Sequence, residues 1–312
     1  MKNYKLLMCT VALTMMLSAE ARAISVAQNS DATALANMLI GPGITLVGTP
    51  TLTGDAVQFG TFTSGSAEVG ITGGVVLSSG NVAQIPGPNT TANPEAIGGG
   101  SGGLGYGDNT TSTDISALGS PGLGYGPLDT LAGYPTSDAA VLTFQFQFGD
   151  GSTGGNVGIK YVFASEEYLD YVTSVFNDTF IFSVDGNNIA LIPGTLDPVS
   201  INRINPLQNS SCYINNVDNT EGLPPPPSRQ ITLDGLTCLL TAQAVGLSAG
   251  VHTMTFAIAD ASDHVLDSAV FLGGGTFSPD TEPESVPEPS SMILLGLGVA
   301  GVALFRRQVK HL

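Results

Sequence analysis

Positive charge is scarce in this sequence. Nine Lys and Arg residues stand against 26 Asp and Glu, for a formal net charge of −17. Six of the nine lie near the ends: Lys2, Lys5, Arg22, Arg306, Arg307 and Lys310. The 262 residues from 24 to 285 hold only Lys160, Arg203 and Arg229, against 24 acids. A surface of this kind has almost nothing to neutralise phosphate, so nucleic acid and anionic membranes are excluded as partners. It suits solubility after export, and it is compatible with cation binding. Trp is absent and there are three Cys, none in a CxxC pair, which argues against a zinc knuckle or a thiol redox centre. Cys9 lies in the leading segment, leaving Cys212 and Cys238. In an oxidising compartment an even pair reads as a disulfide, stabilising by roughly 3 kcal/mol in the chain-entropy model; two buried free thiols are the alternative. Of the histidines, only His252 and His264 fall between the ends. A Ser-His-Asp set can be drawn with Ser165 or Ser268, but no spacing selects one.

Charge-laced helical stretches are missing too. What is present is 40 glycines and many short runs of Val, Ile, Thr and Phe. In AAVLTFQFQF (139–148), Leu142, Phe144, Phe146 and Phe148 alternate with Thr143, Gln145 and Gln147, the period of a half-buried strand. Further strands are expected at 56–62, 74–80, 157–167, 178–186, 188–194, 237–245, 251–260 and 267–275. Asp185-Gly186-Asn187 reads as a hairpin turn. Ser30-Asp31 can cap one short helix with Ala34, Leu35, Met38 and Leu39 on its apolar face. Residues 86–135 are rich in Gly, Ser, Thr and Asn and carry GLGYG twice, at 103–107 and 122–126. A loop that long usually has a purpose; the expectation is an extended surface loop with its two Tyr as contact points, or else a flexible insertion. The fold class that follows is all-β: an antiparallel, jelly-roll-like β-sandwich with one short N-terminal helix and a long Gly-rich loop.

The two ends read as addresses. Lys2 and Lys5, the apolar run Leu6–Leu17 and Ala21-Arg22-Ala23 have the order of a secretory signal peptide, expected over 1–23. At the other end, Pro287-Glu288-Pro289 precedes an uncharged apolar stretch, 292–305, and then Arg306, Arg307 and Lys310. Fourteen residues are short for a permanent span, which wants about 20; the cationic tail would hold the far end in the cytoplasm. The region 286–312 resembles a PEP-CTERM sorting signal. The resemblance implies an exosortase-type membrane protease as partner, a transient transmembrane helix in the inner membrane, and display at the cell surface or in the extracellular matrix once the anchor is processed. SPDTEPESVPEP reads as an acidic linker, expected over 277–285.

Two acidic clusters carry the remaining chemistry. SEEYLDYVTSVFND (165–178) and ADASDHVLDS (259–268) both lie where strands end. Hard oxygen donors in loops are what calcium requires, and Glu166, Asp178, Asp260, Asp263 and Asp267 are the candidate ligands. The competing reading has these carboxylates bonding turn amides. Neither run matches an EF-hand. Glu166 and Glu167 would point to opposite faces of a strand, so they do not form a glycosidase pair. GGGSGG (98–103) fits GxGxxG and GxSxG without the flanking strand and helix either motif needs. Lys160 lies inside a strand, where a snorkelling Lys paired with a carboxylate is expected rather than an isopeptide link.

GVVLSSG (74–80), SDAAVLTFQF (137–146), YVFASEEY (161–168), FNDTFIFSVDG (176–186), NIALIPG (188–194), VSINRIN (199–205), LDGLT (233–237) and AIADASDHVLDSAVFL (257–272) resemble, in order, the choice-of-anchor L domain family, over roughly 32–274. The domain is expected over 24–276. The resemblance implies a bacterial surface or secreted domain preceding an anchor, with no established enzymatic activity and no catalytic or cofactor-binding residue to carry over. Two functions follow as expectations. One is a non-catalytic exported protein that binds exopolysaccharide or other surface proteins, or assembles, in the biofilm matrix. The other is a secreted hydrolase acting on a matrix polysaccharide.

Overall fold

The computed structural model describes residues 23–89, 111–217 and 229–281. The signal-peptide segment, the GGGSGG run, the first GLGYG, the Pro-Glu-Pro motif and the apolar stretch 292–305 lie outside them. Among the described residues no helix is long and apolar enough to cross a membrane.

The chain runs β1 (Ser25–Gln28), α1 (Ala32–Leu39), β2 (Ile44–Thr53), β3 (Phe59–Thr63), β4 (Gly73–Ser78), α2 (Gly126–Ala132), β5 (Thr136–Phe148), β6 (Gly155–Ser165), β7 (Thr179–Val184), β8 (Asn187–Asn188), β9 (Tyr213–Asn215), β10 (Gly235–Thr237), β11 (Leu240–Leu247), β12 (His252–Ala261) and β13 (Ser268–Gly273). One sheet has the order β1-β3-β4-β13-β6-β10-β9, with β11 also paired to β6. The other has the order β2-β5-β12-β7-β8. Every strand pairing is antiparallel, and the expected all-β sandwich is the observed architecture.

The core lies between the sheets. Leu142, Phe144, Phe146 and Phe148 of β5 face it, with Met254, Phe256 and Ile258 of β12, Phe180 and Phe182 of β7, and Tyr161 and Phe163 of β6. The rings pack edge-on: Phe146 meets Phe277 at 4.9 Å and Tyr161 meets Phe182 at 4.8 Å between centroids. Such contacts add about 0.5–1.5 kcal/mol per pair beyond area burial. Outer faces are also covered. Val76, Val162, Ala164 and Phe271 lie beneath Val82, Ile85, Ile231 and Leu233. Ala139, Val141, Ala257 and Ala259 lie beneath Leu128 of α2. Strands buried on both faces read as continuous apolar runs, as β6 and β13 do.

Several local expectations need correction. β2 was not foreseen: Gly48 (φ +67°) and Pro50 break its pattern, and the register against β5 shifts between Val47 and Thr51. An edge strand tolerates both. The expected strand 188–194 is only the two-residue β8, because Asn188 Oδ1 accepts the N–H groups of Phe182 and Ala190 in place of a ladder. Asp31 caps α1 as expected, but its buried face is Leu35, Ala36 and Leu39; Met38 points out. Part of the expected long loop is ordered. α2 starts at the end of the second GLGYG, whose Tyr125 N–H is bonded by Thr136 Oγ1. The hairpin turn is two residues, Asp185 and Gly186, both with positive φ. Packing also continues past 276: Phe277 is fully buried and Ser278 exchanges backbone hydrogen bonds with Gly158. Cys212 and Cys238 are disulfide-linked.

Candidate functional site

At one end of the sandwich the core-facing rows turn from apolar to polar. Along β4 the row Val75, Leu77 continues to Ser79. On β6 Tyr161 and Phe163 lead to Ser165, and on β13 Val270 is preceded by Ser268. On the facing sheet Ile258 leads to Asp260, Phe180 is preceded by Asp178, and Ala140 by Asp138. Antiparallel pairing brings the C-terminal ends of β4, β6 and β12 together with the N-terminal ends of β13, β7 and β5. Three serines on one sheet thus meet three aspartates on the other.

The loops that cap this layer add Glu166, Glu167 and Asp267. Each of the six carboxylic acids is at most 2% exposed. Burial is the main cause of every shift among them, because a low-dielectric interior disfavours the charged form. It pushes Glu167 up to about 11, with Asp178 the next cause, and Asp178 up to about 8 despite two hydrogen bonds. Asp267 rises to about 6. Asp260 and Glu166 are held well above the carboxylate range, by burial and then by Asp178 and Asp234 respectively. His264 acts on Asp138, lowering it against the effect of burial.

Their hydrogen bonds divide them. Asp178 Oδ1 accepts the Ala261 N–H at 2.9 Å and Oδ2 accepts the Ser268 hydroxyl at 2.7 Å. Glu166 Oε1 accepts the N–H and hydroxyl of Thr111 at 2.8 and 3.0 Å. Asp267 Oδ1 accepts the Thr113 N–H at 2.9 Å. Asp267 lies directly on Gly80, where a Cβ would stand 1.8 Å from Oδ2. Asp138, at φ +53°, interrupts the β5–β12 register; its Oδ2 accepts the Ile115 N–H and its carbonyl accepts from Gln58 Nε2. By contrast, both oxygens of Asp260, Oε2 of Glu167 and Oδ2 of Asp267 are buried with no hydrogen-bond partner. The Ser79 hydroxyl lies beside Asp260, but it accepts the Ser268 N–H and leans toward the Ser268 carbonyl. Its contact with Asp260 offsets a little of the burial and leaves both carboxyl oxygens without a hydrogen bond.

At the rim, single donor atoms of Asp114, Asp138 and His264 lie within 4.8 Å of one another. His264 Nδ1 is 3.0 Å from Asp138 Oδ1 and 3.8 Å from Asp114 Oδ1. Asp114 Oδ1 also caps the turn that follows, accepting from Ser116 and Ala117. A cavity of about 190 Å³ opens beside Asp138, lined by Gln58, Ile115 and the second GLGYG.

Of the five expected ligands, Asp178, Asp260 and Asp267 come together in the layer. Asp263 is half-buried in the loop above, with Oδ1 on the Val265 N–H at 3.3 Å. Glu166 turns to Thr111 and Asp234, away from the side on which Glu167 meets Asp178. Asp138 and Glu167 were missed as layer residues. Extending the core-facing row of β5 by one step would have found Asp138. Neither Ser165 nor Ser268 meets a histidine: the Ser165 hydroxyl accepts the Glu167 N–H, and His252 lies at the opposite end of β12, bonded to Asp185 at 2.7 Å and the Ser248 carbonyl at 2.9 Å.

Comparison with known families matches residues 25–278 to the choice-of-anchor L domain. The chain belongs to the choice-of-anchor L domain family. Residues 285–308 match the PEP-CTERM protein-sorting motif, so this choice-of-anchor L protein is exported, recognised by an exosortase and displayed at the cell surface through its C-terminal tail. No curated protein and no solved structure matches the chain.

Proposed function

We propose that this choice-of-anchor L domain is a non-catalytic surface module that works in the extracellular matrix by binding or by assembly, with exopolysaccharide or another surface protein as partner. The observation that carries this reading is the burial of the acids. Hydrolysis of a glycosidic bond needs two carboxyl groups flanking a substrate, about 5–10 Å apart and open to it. Here the clustered carboxyls lie inside the end of the sandwich, and Ser165 and Ser268 are buried with them. Exposed apolar side chains beside the layer, such as Leu123 at 70% exposed on the GLGYG turn, suit contact with a partner.

The test uses the exported protein and purified matrix polysaccharides. The expected result is retention of the polymer or of surface protein with no release of reducing ends. Release that vanishes in Glu166→Gln or Asp178→Asn would overturn the reading in favour of a matrix hydrolase.

A further inference from the structure

We propose that the polar layer binds one divalent cation of the calcium class, with Asp260 at its centre and Glu167 and Asp267 as further carboxylate ligands. The ion would bind whether the domain retains a polymer or cuts it.

Asp260 carries the argument. It is fully buried, it continues the core-facing row of β12, and neither oxygen has a hydrogen-bond donor. Glu167 Oε2 and Asp267 Oδ2 are buried and unpartnered as well. A buried polar atom without a partner costs about 1–3 kcal/mol, more if charged. Natural interiors hold few such atoms, and each calls for an explanation such as an ion. Here four of them sit on three buried acids of one layer, Asp260 beside Asp267, and Asp260 and Glu167 each beside Asp178. The charged groups that act most on them are other acids, and His264 engages Asp138 and Asp114 at the rim. The Asn81 N–H acts on Asp267 and the Ser79 hydroxyl on Asp260, but both oxygens of Asp260, Oε2 of Glu167 and Oδ2 of Asp267 are left without a hydrogen bond.

The donor chemistry selects the ion. Carboxylates, with the Ser79 hydroxyl alongside, are hard oxygen ligands. Calcium accepts six to eight of these at flexible geometry, whereas magnesium demands a near-ideal octahedron and keeps its waters. Imidazole and thiolate, which suit zinc, are absent from the inner set. The residues with satisfied oxygens then hold the frame: Asp178 ties the end of β12 to β13 through Ala261 and Ser268. Only the rim trio already has its donors within 4.8 Å among the described residues, so the inner carboxyls close on the ion as it binds.

Closure has a structural consequence. Thr111, Ser112 and Thr113 cross the mouth of the layer as a strap. Thr111 donates to Glu166 and accepts the Asp267 N–H at 2.9 Å; Thr113 donates to Asp267 Oδ1; Ser112 Oγ accepts the Leu266 N–H at 3.2 Å. An ion on Asp267 Oδ2 would fix the carboxylate to which the strap is tied.

The experiment is calorimetric titration of calcium into chelator-stripped full domain, with thermal melts read by circular dichroism. The expected result is one calcium per chain. At a hundred times Kd the folded-to-unfolded ratio should rise about 100-fold, with magnesium far weaker. Asp260→Asn should weaken calcium binding at least about tenfold. It should fold, because the Asn amide has the size and neutrality of the protonated Asp260 carboxyl; a native melt in the absence of calcium checks this. His264→Ala and Asp114→Asn, at the rim, should leave calcium affinity unchanged. No heat of binding and superimposable melts with and without calcium would overturn the proposal and leave protonated carboxyls as the layer's resting chemistry. Calcium binding that survives Asp260→Asn but is lost in His264→Ala would overturn it equally, by moving the site to the rim.

Discussion

In chelator, the domain should lose stability as pH rises from 5 to 7, the reverse of ordinary acid denaturation. Asp178 titrates at about 8 and Glu167 at about 11 in the fold, against ordinary values of 3.8 and 4.5. Both are raised. Each therefore keeps its proton in the folded chain while the unfolded chain has released it. The stability linked to that proton is complete below the ordinary value and is lost as pH rises toward the folded one. Asp267, at about 6, adds to the loss between pH 4 and 6. His252 works in the same direction: burial opposes its charge, but hydrogen bonds to Asp185 and Ser248 raise its pKa overall. The carboxyls that are held low, Asp55, Asp114, Asp150 and Asp185, matter only below about pH 4. Each retained proton changes stability by about 1.4 kcal/mol per pH unit, so Asp178 and Glu167 together cost up to about 5 kcal/mol between pH 5 and 7. That is a large share of the 5–15 kcal/mol typical of a domain. Urea unfolding followed by circular dichroism at pH 5, 6 and 7 measures it. Glu167→Gln should lower the slope by about 1.4 kcal/mol per pH unit, the share of one retained proton, and saturating calcium should flatten it by holding the carboxylates ionised. Stability that is flat or rising across this range in chelator would refute the protonated, buried layer.

Other perturbations probe the frame and the ends. Replacing Cys212 and Cys238 by Ser should cost about 3 kcal/mol through loss of loop closure, measured as a lower urea midpoint, and non-reducing peptide mapping of the exported protein should recover the linked pair. Gln58→Leu should destabilise by about 2–3 kcal/mol, because the buried Gln58 amide donates to the carbonyls of Ser78, Ser79 and Asp138 at 3.3, 2.8 and 2.6 Å; a change under half a unit in kcal/mol, about the scatter of surface substitutions, would show that water replaces it. Intact mass of the mature protein should show a start near Ile24 and loss of the residues after Pro287-Glu288-Pro289; recovery of an intact 292–312 segment would rule out processing.

Local pattern carried much of the fold. The alternation of Leu142, Phe144, Phe146 and Phe148 marks one face of β5 from sequence alone, since side chains on a strand repeat every two residues. The Asp185-Gly186 turn is equally local, because it needs two positive φ angles that these residues tolerate. β2 escaped because Gly48 and Pro50 hide an edge strand whose partner, β5, lies about 90 residues on. α2 escaped because Leu128 and Leu131 look like stray apolar residues in a Gly-rich stretch until the outer face of β5 and β12 is there to receive them.

The candidate site divides along the same line. Composition and local pattern already show acids gathered at strand ends with almost no bases to pair with them, and the two termini carry the address. They could not tell a carboxylate that caps a turn from one left unpaired inside. Asp178 is satisfied by Ala261 and Ser268, 83 and 90 residues away, and Glu166 by Thr111, 55 residues away. Asp260 has no such partner. That difference depends on which strand ends meet across the sandwich and in what register, and only the tertiary structure decides it.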